Sequence, residues 1–143
     1  MRFERDRITF TMNEDSHPGR IMIELFATPE ADDIEAIVQV FEAEKSQVDS
    51  QVVMWIEHVG IIGLRLPSMD EFQIYAQALQ KFESFTRDHV LCTVVVTQKL
   101  DALARLGKDI FLGIYQPVKP LGVVEGRSEA IEFVSCYADA SVF

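Results

Sequence analysis

The stretch that most constrains the fold runs from Val52 to Phe85, where a nearly continuous apolar segment precedes a turn and an amphipathic helix pattern. The segment VVMWIEHV is rich in β-branched and aromatic residues, which is typical of a strand covered on both faces. Ser68 and Glu71 have the spacing of a capping box, and Pro67 disfavours helix before it. The sequence therefore predicts a strand, a short loop and a helix that begins near Met69.

The rest of the chain repeats this alternation of strands and helices. In addition to Val52–Val59, strands are predicted at Arg7–Met12, Arg20–Phe26, Val90–Thr97 and Leu121–Glu125. Further helices are predicted to begin at Asp32 or Asp33, at Lys99 with an end at Gly107, and at Ser128. The order ββαβαβαβα predicts a single α/β domain over residues 1–143, with a largely parallel sheet of four to five strands.

The charge balance excludes some classes of partner. The chain has 13 Lys and Arg against 23 Asp and Glu, a formal net charge of -10, which repels phosphate backbones. We therefore expect no nucleic-acid partner. No apolar run approaches the roughly 20 residues that span a bilayer, and the start MRFERDRITF lacks the apolar core of a secretory signal. We expect no membrane insertion and a cytoplasmic protein that starts near Met1.

The two cysteines, Cys92 and Cys136, are far apart in sequence. They do not form a C-x-x-C redox pair, and free cysteine is among the most buried residue types. Both are therefore predicted to be reduced, buried and chemically inert.

No motif of the sequence indicates catalysis. It has no glycine-rich phosphate loop and no G-x-S-x-G elbow, and its three histidines are too scattered to bind a metal ion. We expect no enzyme, no metal and no cofactor.

Ligands of parallel sheets favour the loops at the carboxyl ends of the strands. Trp55, His58, Arg65 and Tyr115 could line a pocket there, which would make the chain a small-molecule binder or an enzyme. Glu57 and His58 are adjacent in a strand, so they should face opposite sides of the sheet. His58 is either a partly buried histidine with a hydrogen-bond partner or, if it faces a pocket, a functional imidazole.

The order of elements, together with VLCTVVVTQKLDALARLGKDIFLGIYQPVKPLGVVEGRSEAIEFV, resembles the STAS domain of bacterial anti-sigma factor antagonists and sulfate transporter tails. That family has a D-S-S-G-L motif at the start of the helix after its central strand, and its serine is a phosphorylation switch. This chain has RLPSMDEF there, so Ser68 lies at the corresponding helix entrance, without the glycine and the second serine. The resemblance implies a non-enzymatic interaction domain whose partner is a regulatory kinase or a signalling complex.

Three interpretations of the function follow. In the preferred one, the Gly60 to Tyr75 surface docks onto a protein through Arg65, Met69 and Asp70, with Ser68 as a candidate phosphoacceptor. Capping of the helix alone also accounts for Ser68. The second interpretation is the small-molecule pocket, and the third is a structural homodimer that pairs through the first strand or the apolar helix faces.

Overall fold

The computed structural model of the protein describes residues 1–60 and 65–143. The strands are β1 (Arg2–Glu4), β2 (Ile8–Asn13), β3 (Gly19–Leu25), β4 (Val52–His58), β5 (Val90–Thr97) and β6 (Leu121–Glu125). The α-helices are α1 (Ala31–Glu44), α2 (Met69–Lys81), α3 (Glu83–His89), α4 (Ala102–Ile114) and α5 (Gly126–Ser135). Short 3₁₀ helices lie at Lys45–Gln47 and Ala140–Val142.

The strands form one mixed sheet in the spatial order β1-β2-β3-β4-β5-β6. The β1–β2 and β2–β3 pairs are antiparallel, and the strands from β3 to β6 are parallel to one another. The protein is therefore an α/β fold whose described sheet has six strands, rather than the four or five predicted. The additional strand, Arg2–Glu4, is too short and too charged for a period-two pattern to predict.

Several element boundaries match the sequence predictions. Both Val90–Thr97 and Leu121–Glu125 are strands, and α2 begins at Met69. The capping box is formed, because the Ser68 hydroxyl accepts from the Glu71 N–H at 3.1 Å and the Glu71 carboxylate accepts from the Ser68 N–H at 2.9 Å. These positions were predictable because the capping residues and the β-branched run are local signals.

Three helix boundaries were predicted wrongly. The N-cap of α1 is Glu30, not Asp32 or Asp33, and α5 begins at Gly126 instead of Ser128. Helix α4 is capped by Asp101 and continues through Gly107 to Ile114. A glycine inside a helix costs only about 1 kcal/mol, so the apolar residues that follow Gly107 keep α4 helical.

Asp33 links the sheet edge to α1. Its side chain is 1% exposed, and its carboxylate accepts from Arg5 Nε at 3.0 Å and from the Glu30 N–H at 2.9 Å. Arg7 Nη1 lies 3.5 Å from the same carboxylate. The buried charge is therefore paired with two arginines of the β1–β2 region, which holds that hairpin against the start of α1.

The two faces of the sheet are covered differently. Helix α5 packs closely against β5 and β6, and the residues after it reach Trp55 through Phe143. Helices α1 to α4 cover the opposite face, where an aromatic cluster of Phe10, Phe41, Phe82 and Phe85 joins α1 and α3 to β2. Helix α2 lies next to both α1 and α4.

Both cysteines are free thiols, but only Cys92 is buried; Cys136 is exposed at the end of α5, contrary to the prediction. Burial raises the pKa of the Cys92 thiol to about 11. Among the described residues, no helix is long and apolar enough to cross a membrane.

Candidate functional site

A cavity of about 650 Å³ lies between the sheet and helices α1, α2 and α4. Its floor is formed by residues that alternate along β3 to β6 on one face, including Ile23, Ile56, Val95 and Val123. Its roof includes Phe72 and Leu79 of α2, Ile34 and Val38 of α1, and Phe111 and Leu112 of α4. Nearly all of these side chains are aliphatic or aromatic, so the wall of the cavity is predominantly apolar.

Several small side chains line the cavity. They are Thr93, Val95 and Val123 of the sheet and Ala104 and Gly107 of α4. A methyl group on Gly107 would lie 3.3 Å from Leu66 Cδ1, so α4 contacts the loop before α2 at this point. Phe10, Phe41 and Phe82 of the aromatic cluster also line the cavity, so large side chains bound it on that side.

Helix α4 is less buried than is usual for a helix with an apolar face. All of its residues are described and none of them is buried, although Leu103, Ala104, Phe111 and Leu112 line the cavity. Leu103 remains 53% exposed, and Leu106, on the outer side of the helix, is 49% exposed. The apolar stripe of α4 therefore faces the cavity and is not covered by packed protein.

The polar side chains of the cavity that form no hydrogen bond with a described residue include Thr93, His58 and Tyr115. Thr93 and Tyr115 are 8% and 5% exposed. Burial raises the pKa of the Tyr115 hydroxyl and lowers the pKa of the His58 imidazole, so both are neutral near neutral pH. Thr97, by contrast, donates to the Val124 carbonyl oxygen at 3.2 Å. The cavity thus has a few neutral polar groups that a ligand could contact.

Hydrogen bonds fix the loops at the carboxyl end of the cavity. The buried Thr28 hydroxyl donates to the Arg65 carbonyl oxygen and accepts from the Arg65 N–H, each at 2.7 Å. The Tyr75 hydroxyl donates to the Pro29 carbonyl oxygen. Burial, with Glu71 as a second cause, raises the pKa of Tyr75. These bonds join the loop after β3 to the start of α2.

Arg65 and Glu71 form a two-bond ion pair beside the cavity mouth. Arg65 Nη1 and Nη2 donate to the two carboxylate oxygens of Glu71 at 2.6 and 2.7 Å, and the Glu71 side chain is 15% exposed. The Arg65 guanidinium and the Ser68 N–H lower the pKa of Glu71 to about 2. Arg65 is therefore bound to a partner within its own chain.

This ion pair predicts a specific loss of stability in acid. The pKa of Glu71 in the folded state is below its ordinary value of 4.5, so its stabilising effect is complete above that value and is lost as pH falls toward about 2. Glu71→Gln should lower the free energy of unfolding near neutral pH and flatten its decline between these two pH values. Urea titrations across this range measure both effects. Glu35→Gln, on the exposed face of α1, is the control and should keep the steep decline; equal slopes for wild type and Glu71→Gln would contradict the assignment.

The residues predicted to dock a partner lie at the surface. Ser68, Met69 and Asp70 are exposed at the start of α2, with Met69 52% exposed, and Arg65 is exposed beside them. The Ser68 hydroxyl already serves as the N-cap acceptor. The predicted surface also includes residues 61–64, which lie outside the described residues.

The predicted pocket residues are divided between the two faces of the sheet. His58, Arg65 and Tyr115 line the cavity. Trp55 lies on the opposite face, where its ring stacks on Phe143 at 5.2 Å and its indole N–H donates to Glu57 at 3.0 Å. Trp55 therefore does not belong to the cavity, because neighbouring strand positions alternate between the two faces.

Three cavity-lining lysines were not predicted: Lys99, Lys108 and Lys119. One feature of the sequence does indicate that Lys108 lies on the apolar side of its helix. It falls within the apolar stripe of α4, four residues after Ala104 and four before Leu112, but the stripe is visible only if the helix continues through Gly107.

A comparison with protein-family models, with curated proteins and with solved structures finds no match to this chain. What the protein binds must therefore be inferred from its geometry.

Proposed function

We propose that the protein binds a small, largely apolar molecule in the cavity between the sheet and helices α1, α2 and α4, and that it carries out no chemical reaction on it. The observation that supports this is the cavity itself: about 650 Å³, walled mainly by aliphatic and aromatic side chains. Ligand pockets in proteins commonly measure about 300–1,000 Å³ and combine an apolar lining with a few polar groups. The protein acts in the cytoplasm, in keeping with its two free thiols.

The physical reason for a ligand is the hydration of the empty space. At roughly 30 Å³ for each water molecule, a cavity of this size would hold on the order of 20 waters. Its described wall offers those waters few hydrogen-bond partners, so an apolar molecule gains free energy by displacing them. Binding would also cover the cavity-facing stripe of α4.

Binding of a neutral dye tests the proposal. Nile red should bind the purified protein at a saturable single site, with its emission shifted to the blue, and native mass spectrometry should show one dye per chain. A neutral apolar competitor such as dodecan-1-ol should displace it. The proposal is wrong if Nile red shows no saturable binding to the folded protein.

A second candidate function is that of a STAS-like docking domain, as the alternation of strands and helices suggests. We propose that Arg65, Met69 and Asp70 contact a regulatory kinase or signalling complex, with Ser68 as the phosphoacceptor. The observation in favour is the position of Met69, a half-exposed apolar side chain between exposed polar residues at the start of α2. Self-association into a homodimer is a further proposal, which light scattering would test.

Paired variants test the docking surface. Met69→Ala with Asp70→Ala should abolish capture of a specific partner from the native host, whereas Gln77→Ala, at an exposed position on the same helix, should retain it. The mass of the native protein before and after phosphatase treatment tests Ser68. Unchanged capture of every specific partner by the double variant would exclude this surface.

A further inference from the structure

We infer that the ligand of the cavity is a single-chain amphiphile with a carboxylate head group, and that Lys108 binds the head group. This inference rests on the proposed binding function and adds the class of ligand to it. It is carried by the charges of the cavity wall, by the position of Lys108 in α4 and by the extent of the cavity along the strands.

The charge of the wall is opposite to the charge of the protein. The formal net charge of the chain is -10, yet the described lining residues include four cations and one carboxylate. The cations are Arg65, Lys99, Lys108 and Lys119, and the carboxylate is Asp101. Three of the five lysines in the sequence line this one cavity. An anion is therefore attracted to this site although the protein as a whole repels it.

Two of these charges already have partners. Arg65 donates two hydrogen bonds to Glu71, and Asp101 caps α4 by accepting from the Ala104 N–H at 2.9 Å. The three lysines form no ion pair with any described residue. The positive charge that remains for a ligand is thus lysine ammonium, a compact point charge that can donate hydrogen bonds to an anionic group such as a carboxylate.

Lys108 differs from the other two lysines in its surroundings. It is half-buried in the middle of α4, and its neighbours one turn away on the cavity side are Ala104 and Leu112. Lys99 is exposed in the loop before α4, and Lys119, although half-buried like Lys108, lies in the segment that enters β6 and not in a helix. Of the three lysines, only Lys108 lies within the apolar stripe of a helix. The lower local dielectric there strengthens the electrostatic attraction between its ammonium group and an anion.

The extent of the cavity along the strands is sufficient for a hydrocarbon tail. The wall includes Thr93, which pairs with the first residue of β6, and His58 and Thr97 at the carboxyl ends of β4 and β5. The four residue steps from Thr93 to Thr97 alone span about 13 Å along the strand. Between these ends the floor and roof are apolar, so a long hydrocarbon chain is accommodated lengthwise along the strands.

The test compares a carboxylate with the matching alcohol. Dodecanoate and dodecan-1-ol are titrated as competitors of Nile red against wild type, Lys108→Met, Lys99→Met and Lys81→Met. Methionine keeps the length and apolar stem of lysine and removes its charge. Lys81 lies on the exposed face of α2 and does not line the cavity, so its variant controls for the loss of one positive charge.

Wild type should bind dodecanoate at least about tenfold more tightly than Lys108→Met does, because a hydrogen bond to a charged group contributes about 1.5–3 kcal/mol. Affinity for dodecan-1-ol should be unchanged in every variant, and Lys99→Met and Lys81→Met should bind dodecanoate as wild type does. Equal affinity of wild type and Lys108→Met for dodecanoate would overturn the inference while leaving the binding function intact. Failure of Nile red and both competitors to bind would overturn both.

Discussion

Replacing Val95 and Val123 together by phenylalanine should weaken binding of Nile red or dodecan-1-ol by about 30-fold or more. The two valines are directly paired across β5 and β6, and both line the floor of the cavity. Two phenylalanine rings would occupy the space that the ligand requires. Forcing a ligand into an overfilled site costs about 1–3 kcal/mol for each added group, which sets the expected loss.

The same double variant should fold normally, because the added rings enter existing space and bury apolar surface there. We expect its free energy of unfolding, measured with urea, to equal or exceed that of wild type. Leu106→Phe is the matched control: it adds a ring on the outer side of α4, which does not line the cavity, and should leave binding unchanged. Full binding by a correctly folded Val95→Phe and Val123→Phe protein would show that the ligand lies elsewhere.

The largest loss of stability is expected for Phe41→Ala, at about 3–5 kcal/mol. The Phe41 side chain is 4% exposed, and its ring centroid lies 5.9 Å from Phe10, 4.5 Å from Phe82 and 4.8 Å from Phe85. It is the ring shared by all three pairs, so its removal leaves a void that rigid neighbours cannot fill. Phe41 therefore holds α1 and the start of α3 to β2.

Urea-induced unfolding measures this effect, and Phe26→Ala provides the control with the same chemical change. Phe26 follows β3 and is 37% exposed, so its truncation should cost less than about 1 kcal/mol. A loss below about 2 kcal/mol for Phe41→Ala would mean that the aromatic cluster repacks and does not determine the position of α1.

The parts of the fold that were predictable from the sequence depend on local signals. The β-branched run from Val90 to Thr97 and the capping box of Ser68 and Glu71 each specify a boundary within a few residues. The short edge strand β1 lacks such a signal, because its three residues, two of them charged, are too few for a period-two pattern, although its partner strand β2 is close in sequence. The same applies to α4, where Gly107 suggested an end and the tertiary environment allowed a continuous helix.

The cavity could not be predicted from periodicity. Apolar patterning predicts which face of an element points inward, but it does not give the distance between a helix and the sheet. Here small residues such as Thr93 and Val95 of the sheet and Ala104 and Gly107 of α4 line the cavity, and their proximity depends on the tertiary fold. His58, the last residue of β4, and Tyr115, which follows α4, both line the cavity, whereas Trp55 lies on the other face because strand positions alternate.

The absence of any buried residue in α4 has a consequence for local opening of the protein. An isolated helix of this length is marginal in water, and helices in proteins are stabilised mainly by packing of their apolar face. In the empty protein the backbone amides of α4 should therefore exchange their hydrogens through opening of this helix alone, without global unfolding. A ligand in the cavity would supply the missing packing and stabilise the closed state of α4. Hydrogen exchange through opening of α4 would therefore become slower as the cavity is filled.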